Sequence, residues 1–181
     1  MFNPNFITHT TREMIADFIF PEAIERRAQL LREIDTDALT GVANLRALDR
    51  ALPAAERHPD TSIILFDLDN FGQVNKLRGH TAGDWLLREL ASTCATVALA
   101  YGVGARVFRK GGDEFVILCA TVDAAAIRSD VERLFGDHRI VALEGGARGV
   151  FVTVSGTVAG TFAEADSVLQ ARKARRKARA A

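Results

Sequence analysis

Apolar residues along this chain change their spacing several times, and each change marks an element. Between Thr11 and Ile34 they recur at helical spacing: Ile15, Phe18 and Ile19 before Pro21, then Ile24, Leu30, Leu31 and Ile34. Proline suits the first turn of a helix, so this stretch predicts a short helix, a kink and a second helix. Leu45, Leu48 and Leu52 give the next helix an inward stripe, with Thr40 able to cap it. Residues 61–66 are apolar on both faces, as a central strand requires. A helix from Phe71 follows, then a longer one with Trp85, Leu86, Leu87, Leu90, Cys94 and Val97 at core spacing. Residues 105–108 and 115–119 are strand-type runs joined through Gly111-Gly112, a hairpin, because a tight turn needs the positive φ that glycine adopts freely. Ile127, Val131 and Leu134 mark a helix over 124–135. Gly145-Gly146 marks a turn, residues 150–158 alternate as a last strand, and a final helix runs from Glu164 to about Lys177.

The order strand, helices, strand, turn, strand, helix, strand predicts an α/β (α+β) fold. Its centre is a ferredoxin-like, polymerase-palm-like antiparallel sheet flanked by helices. Crossover handedness makes the first strand parallel to the second, and the hairpin inserts the third antiparallel beside the first. The end of strand one, with Asp67 and Asp69, then meets the start of strand three, with Asp113 and Glu114. Acids at the mouth of apolar strands must be solvated, paired or bound to a cation. Hard oxygen donors on a shallow edge suit Mg²⁺, which keeps some water and takes phosphate oxygens as further ligands. That arrangement points to metal-dependent attack of a 3′-hydroxyl on an α-phosphate.

Composition narrows the classes. The chain has 181 residues, with 23 Lys plus Arg against 23 Asp plus Glu. Such neutrality argues against a nucleic-acid surface, apart from a basic run at Arg172–Arg179. Cys94 and Cys119 lie in apolar stretches without metal-ligand spacing and read as reduced core residues. No apolar run reaches membrane-spanning length and no secretory leader is visible, so a cytoplasmic protein without membrane contact is expected. Residues 1–34 are expected to form a helical extension and residues 35–181 the main domain.

Three motifs resemble those of one family. Arg109-Lys110-Gly111-Gly112-Asp113-Glu114-Phe115 resembles the signature turn of GGDEF-domain diguanylate cyclases. Asp37-Ala38-Leu39-Thr40-Gly41-Val42-Ala43-Asn44 is similar to the family's opening Asp-x-Leu-Thr-Gly-x-x-Asn. Asn75 through Asp84 is similar to its Asn-x-x-x-Gly-His-x-x-Gly-Asp run. The resemblance implies side-chain Mg²⁺ ligands at Asp67 and Asp113 and a carbonyl ligand at Leu68, with Mn²⁺ as a substitute metal. It implies that Asp113 or Glu114 accepts the proton of the attacking hydroxyl. Backbone amides near Asn70 and Phe71 would cradle phosphates, Asn75 and Asp84 would read the guanine edge, and Gly111 and Gly112 would let the nucleotide approach. Lys173 and Lys177 would meet the terminal phosphates. Asp37 would pair with Arg109.

Some positions depart from the pattern. Gly72 stands where the family often has Lys, Lys76 where it often has Asp, and Leu45 where Arg is usual; Gln170 and Ala171 precede Lys173 in place of a common Tyr. Gly102 and Ala105 hold the places of the family's Arg-x-x-Asp product-inhibition site, so no such feedback is expected. Arg46-Ala47-Leu48-Asp49 fits those letters but lies in an early helix. The N-terminal stretch is too short for a sensor domain and is instead a candidate dimerisation stalk. The resemblance implies a homodimer that condenses two GTP into cyclic di-GMP and two pyrophosphates. The rival is a catalytically silent GTP- or cyclic di-GMP-binding regulatory module.

Overall fold

The computed structural model describes residues 21–102, 104–136, 138–141 and 149–180. Two units are distinguished, with the division after Thr36. In the first, helix α1 runs Pro21–Asp35, and its proline occupies the first turn. The short helix expected before Pro21 and the Gly145-Gly146 turn lie outside the described residues.

The second unit holds α2 (Leu45–Arg57), β1 (Thr61–Leu68), α3 (Phe71–Arg78), α4 (His80–Ala100), β2 (Arg106–Gly111), β3 (Glu114–Ala120), α5 (Thr121–Phe135), β4 (His138–Val141), β5 (Gly149–Val152), β6 (Val154–Ala159) and α6 (Phe162–Ala180). Strands β2-β3-β1-β6 form one sheet in that order, and every neighbouring pair is antiparallel. This is the antiparallel α/β sheet with flanking helices that the element order predicts.

Period-two alternation divides the core between the two faces of the sheet. Ile64, Phe66 and Leu68 of β1 join Phe115 and Ile117 of β3 under α4 and α5. Ile63 and Leu65 join Val116 and Leu118 against Leu48 of α2 and Ala165 and Leu169 of α6. β1 is buried on both faces, with Ile63 to Phe66 each at 0% exposure.

Several expectations are corrected. Asn44, not Thr40, caps α2, accepting from Ala47 N at 3.1 Å, while Thr40 is engaged by Asp37. Leu45, Trp85 and Leu134 are exposed, and Phe135 fills the place expected of Leu134. The single strand over 150–158 is two. It breaks at Thr153, and β5 pairs with β4 in a separate two-stranded sheet. Residues 149–152 pair with β4 and residues 154–159 with β1; Thr153 lies at this change of partner, its carbonyl accepting from Asp69 N at 2.8 Å and its hydroxyl donating to Asp69 Oδ2 at 2.7 Å. Cys94 and Cys119 are buried free thiols, and burial pushes the Cys119 thiol up to about 11. Among the described residues no helix is long and apolar enough to cross a membrane.

Candidate functional site

The alternation that builds the core also aims the acids. On the α6 face, β1 presents Ile63, Leu65 and then Asp67; β3 presents Leu118, Val116 and then Glu114. Asp67 and Glu114 are direct cross-strand partners. Along α6, Ala165 and Leu169 are buried against this face, and one further turn brings Lys173 to it. Lys173 Nζ lies 2.6 Å from Asp67 Oδ2 and 3.9 Å from Glu114 Oε1.

The hairpin turn is Gly112-Asp113. Gly112 has φ 53°, the left-handed value its position demands, and a bulge near Lys110 precedes it. Asp113 therefore sits between the two strands, half-buried, beside Asp67. Arg109 locks the turn: its Nε and Nη2 donate to the Gly112 carbonyl at 3.1 and 2.8 Å. Its Nη1 donates to Asp37 Oδ1 at 3.0 Å, the pair that the resemblance implies. Backbone bonds between Ala43 and the Val107 and Arg109 peptides dock the opening motif onto the edge of β2.

Burial, then Asp113 and Asp69 nearby, push the Asp67 carboxyl up to about 6, against the pull of Lys173. Burial likewise raises Asp113 above the usual carboxylate range. Burial works against the Lys173 charge, but Asp67, Asp113 and Glu114 outweigh it and raise its ammonium. Asp67 Oδ2 is buried and makes no hydrogen bond; Lys173 approaches closely, off the directions such a bond needs. A buried carboxylate oxygen held by an ion pair rather than a hydrogen bond, beside a second acid, is a donor of the kind a hard divalent cation takes. Among the described residues, no three acidic, histidine or cysteine side chains cluster to hold an ion by themselves. Asp67, Asp113 and the Leu68 carbonyl would need water or phosphate oxygens to complete a shell.

A cleft of about 700 Å³ opens here, lined by Asp67, Leu68, Asn70, Phe71, Asp113 and Lys173, with Gly72 and Lys76 at its helical side. Asn70 adopts φ 65° and ψ 14°, and no side chain caps the start of α3. Asparagine tolerates this backbone well, and its Nδ2 donates to the Phe151 carbonyl at 2.8 Å. Phe71 and Gly72, which open α3, line the cleft, and the Asn70 side chain does not cap them, so the helix start offers amides of the kind an anion site uses.

Of the other candidates, Asn75, Asp84, Gly111, Gly112 and Glu114 are not among the residues that line that cleft. Asn75 stands on α3 and Asp84 on α4. Asn75 Oδ1 is buried without a hydrogen bond, and a Cβ at Gly83 would sit 2.1 Å from it. Gly111 and Gly112 are exposed, with open space around them. Lys177 belongs to α6, but its side chain lies outside the described residues.

Two features escaped the sequence reading. Lys110 donates to Glu114 Oε2 at 2.8 Å and lies 5.1 Å over the Phe162 ring, tying the turn to α6. Asp69 accepts from Thr153 and Ser155 hydroxyls at 2.7 and 2.9 Å, so it anchors the loop after β1. Charged residues flanking a two-residue turn were the available signal for the first.

The family model for the diguanylate cyclase GGDEF domain matches residues 34–179. The chain is 34% identical over 134 residues to diguanylate cyclase DgcZ of Escherichia coli, covering 71% of this chain and 43% of that protein. It is 35% identical over 121 residues to cyclic di-GMP phosphodiesterase PdeR of the same organism, covering 64% of this chain and 18% of that one. The chain thus spans less than half the length of either relative. Among solved structures, it is similar to the GGDEF domain of DgcB from Caulobacter crescentus in complex with c-di-GMP. The TM-score is 0.61 and the identity 28%, covering 77% of this chain and 90% of that one.

Proposed function

From the premise that this chain belongs to the GGDEF-domain family of diguanylate cyclases, we propose that it condenses two GTP into cyclic di-GMP and two pyrophosphates. The observation that carries the reading is that Asp67 and Asp113 line one cleft with Lys173, while Glu114 stands directly across from Asp67 on the neighbouring strand. In each of two equivalent steps, the 3′-oxygen of one GTP bonds to the α-phosphorus of the other. The bond from that phosphorus to the bridging oxygen breaks, and pyrophosphate leaves with the electron pair. Asp113 or Glu114 takes the hydroxyl proton. Bound Mg²⁺, held by Asp67, Asp113 and the Leu68 carbonyl, would polarise the α-phosphate and lower the pKa of the attacking hydroxyl.

The chain's own residues do the rest. The opening amides of α3, at Phe71 and Gly72 beyond Asn70, hold β- and γ-phosphates, with Lys173, Lys177 and Lys76 offsetting their charge. Asn75 and Asp84 take the guanine edge; a carboxylate that accepts from guanine N1 and N2 has no such donor pair in adenine. One subunit holds one GTP, so two subunits must face each other, at least transiently, for both bonds to form.

A silent regulatory module is the alternative, favoured by Gly72, which leaves the start of α3 without a lysine beside the phosphates. One experiment separates them: purified protein is incubated with GTP and Mg²⁺, with Glu114→Gln as control, and products are resolved by chromatography. Cyclic di-GMP from the wild type alone supports the cyclase. Stoichiometric GTP binding without turnover at high protein concentration supports the module and overturns the cyclase.

A further inference from the structure

The ammonium of Lys173 lies where it competes with a metal. Its Nζ is 2.6 Å from Asp67 Oδ2, a side chain only 4% exposed, and it also faces Glu114. A divalent cation on the same carboxylate would sit about 2 Å from an oxygen, close enough to this ammonium for strong repulsion in a partly buried site. We propose that Lys173 is an exchange cation: it neutralises Asp67 until a nucleoside triphosphate draws it away, so that divalent metal and nucleotide load as a unit. This rests on the reading of the cleft as a metal–nucleotide site.

Three observations support it beyond the contact itself. Lys173 is a third exposed and lines the cleft, so its flexible stem can swing toward bound phosphates. The helix that carries it cannot easily shift instead. Ala165 and Leu169 are buried, the Ala165 carbonyl accepts from Thr157 Oγ1 at 3.1 Å, and Arg172 Nη1 donates to the Gly156 carbonyl at 2.8 Å. The exchange is therefore a side-chain movement. Finally, the described acids do not cluster in threes, so the protein alone offers few donors to displace the lysine. Phosphate oxygens supply both the missing metal ligands and a new partner for Lys173. Coupling of this kind is reciprocal: nucleotide tightens metal as much as metal tightens nucleotide.

The test follows Mn²⁺ binding to the full chain by electron paramagnetic resonance, with and without α,β-methylene GTP, correcting for metal bound to free nucleotide. In the wild type the analogue should tighten Mn²⁺ by about tenfold or more. Lys173→Met and Lys173→Gln should each tighten Mn²⁺ about tenfold without nucleotide and shrink the effect of the analogue, whereas Lys173→Arg should keep wild-type behaviour. Equal nucleotide-free affinities in all folded variants, with the analogue still effective, would make Lys173 a phosphate contact only and overturn the exchange while leaving the site intact. A wild type whose Mn²⁺ binding ignores the analogue would overturn both, whether or not the neutral variants fold.

Discussion

Arg109 holds the entry segment and the hairpin turn together, and removing its partner has a calculable effect. Nη1 donates to both Asp37 oxygens at 3.0 and 3.3 Å, while Nε and Nη2 hold the Gly112 carbonyl. Asp37 Oδ1 also accepts from Thr40 N and Oγ1 at 3.0 and 2.6 Å. Burial opposes the Asp37 charge, but Thr40 and Arg109 outweigh it and hold the carboxyl below its ordinary range. The two side chains are only 12% and 22% exposed, so screening is partial. Charge-assisted bonds contribute about 1.5–3 kcal/mol, and exposed ion pairs about 1 or less. A double-mutant cycle of Asp37→Asn and Arg109→Met should therefore give a coupling of about 1–2 kcal/mol. Arg109→Met alone also frees the Gly112 carbonyl and should lower Tm by about 4–10 °C. The sign with pH follows from the lowered pKa. The contribution is complete above the unfolded value of about 3.9 and is lost as pH falls through the folded one. The Tm gap between wild type and Asp37→Asn should thus hold from pH 7 to 5 and close below about pH 4. Calorimetry across that range checks it. A coupling under about 0.3 kcal/mol, or a gap that closes between pH 7 and 5, would refute the reasoning.

Asp67 should behave oppositely, because its folded carboxyl stands near 6 and is ionised at neutral pH at the expense of stability. Asp67→Asn also strips Lys173 of its partner, but relative to wild type it should gain about 1–2 kcal/mol of stability between pH 5 and pH 7 as the wild-type carboxyl ionises, and it should lose Mn²⁺ binding; a stability difference that stays flat across that range would contradict this. Gly83→Ala would put a Cβ 2.1 Å from Asn75 Oδ1 and 3.1 Å from Phe71 Cε2. Helix propensity gains about 1 kcal/mol and Asn75 can rotate away, so Tm should move by less than about 3 °C. Guanine-nucleotide affinity, measured by calorimetric titration, should fall about tenfold, and an unchanged affinity would remove Asn75 from base recognition. If Gly102 and Ala105 occupy the places of the Arg-x-x-Asp site that the family resemblance implies, added cyclic di-GMP should compete only at the GTP site, and strong noncompetitive inhibition in steady-state kinetics would contradict that.

The acids were legible because strand order and period-two alternation are topological. Once residues 61–66 lie beside 115–119 antiparallel, Asp67 must meet Glu114. The partner on α6 was equally present in the sequence, since Ala165, Leu169 and Lys173 share one helical stripe, yet no pattern says which way a flexible lysine leans. The break at Thr153 was not legible. Residues 150–158 alternate without Pro, their one Gly, Gly156, falls inside β6 rather than at the break, and the change of pairing partner from β4 to β1 at Thr153 is a tertiary event. The cap at Asn44 was missed although asparagine before an apolar-periodic run is a start signal; Thr40 is as good a capping type, and the Asp37–Arg109 pair decides between them. Trp85 and Leu134 stand at the margins of their helical stripes, where spacing alone does not distinguish core from rim.

Anomalous diffraction from Mn²⁺ in a crystal grown with α,β-methylene GTP tests the central assignment most directly. The account predicts a peak between the Asp67 and Asp113 carboxylates, with the Leu68 carbonyl as a ligand and the triphosphate across the start of α3. A bound nucleotide whose metal lies away from Asp67 would contradict it.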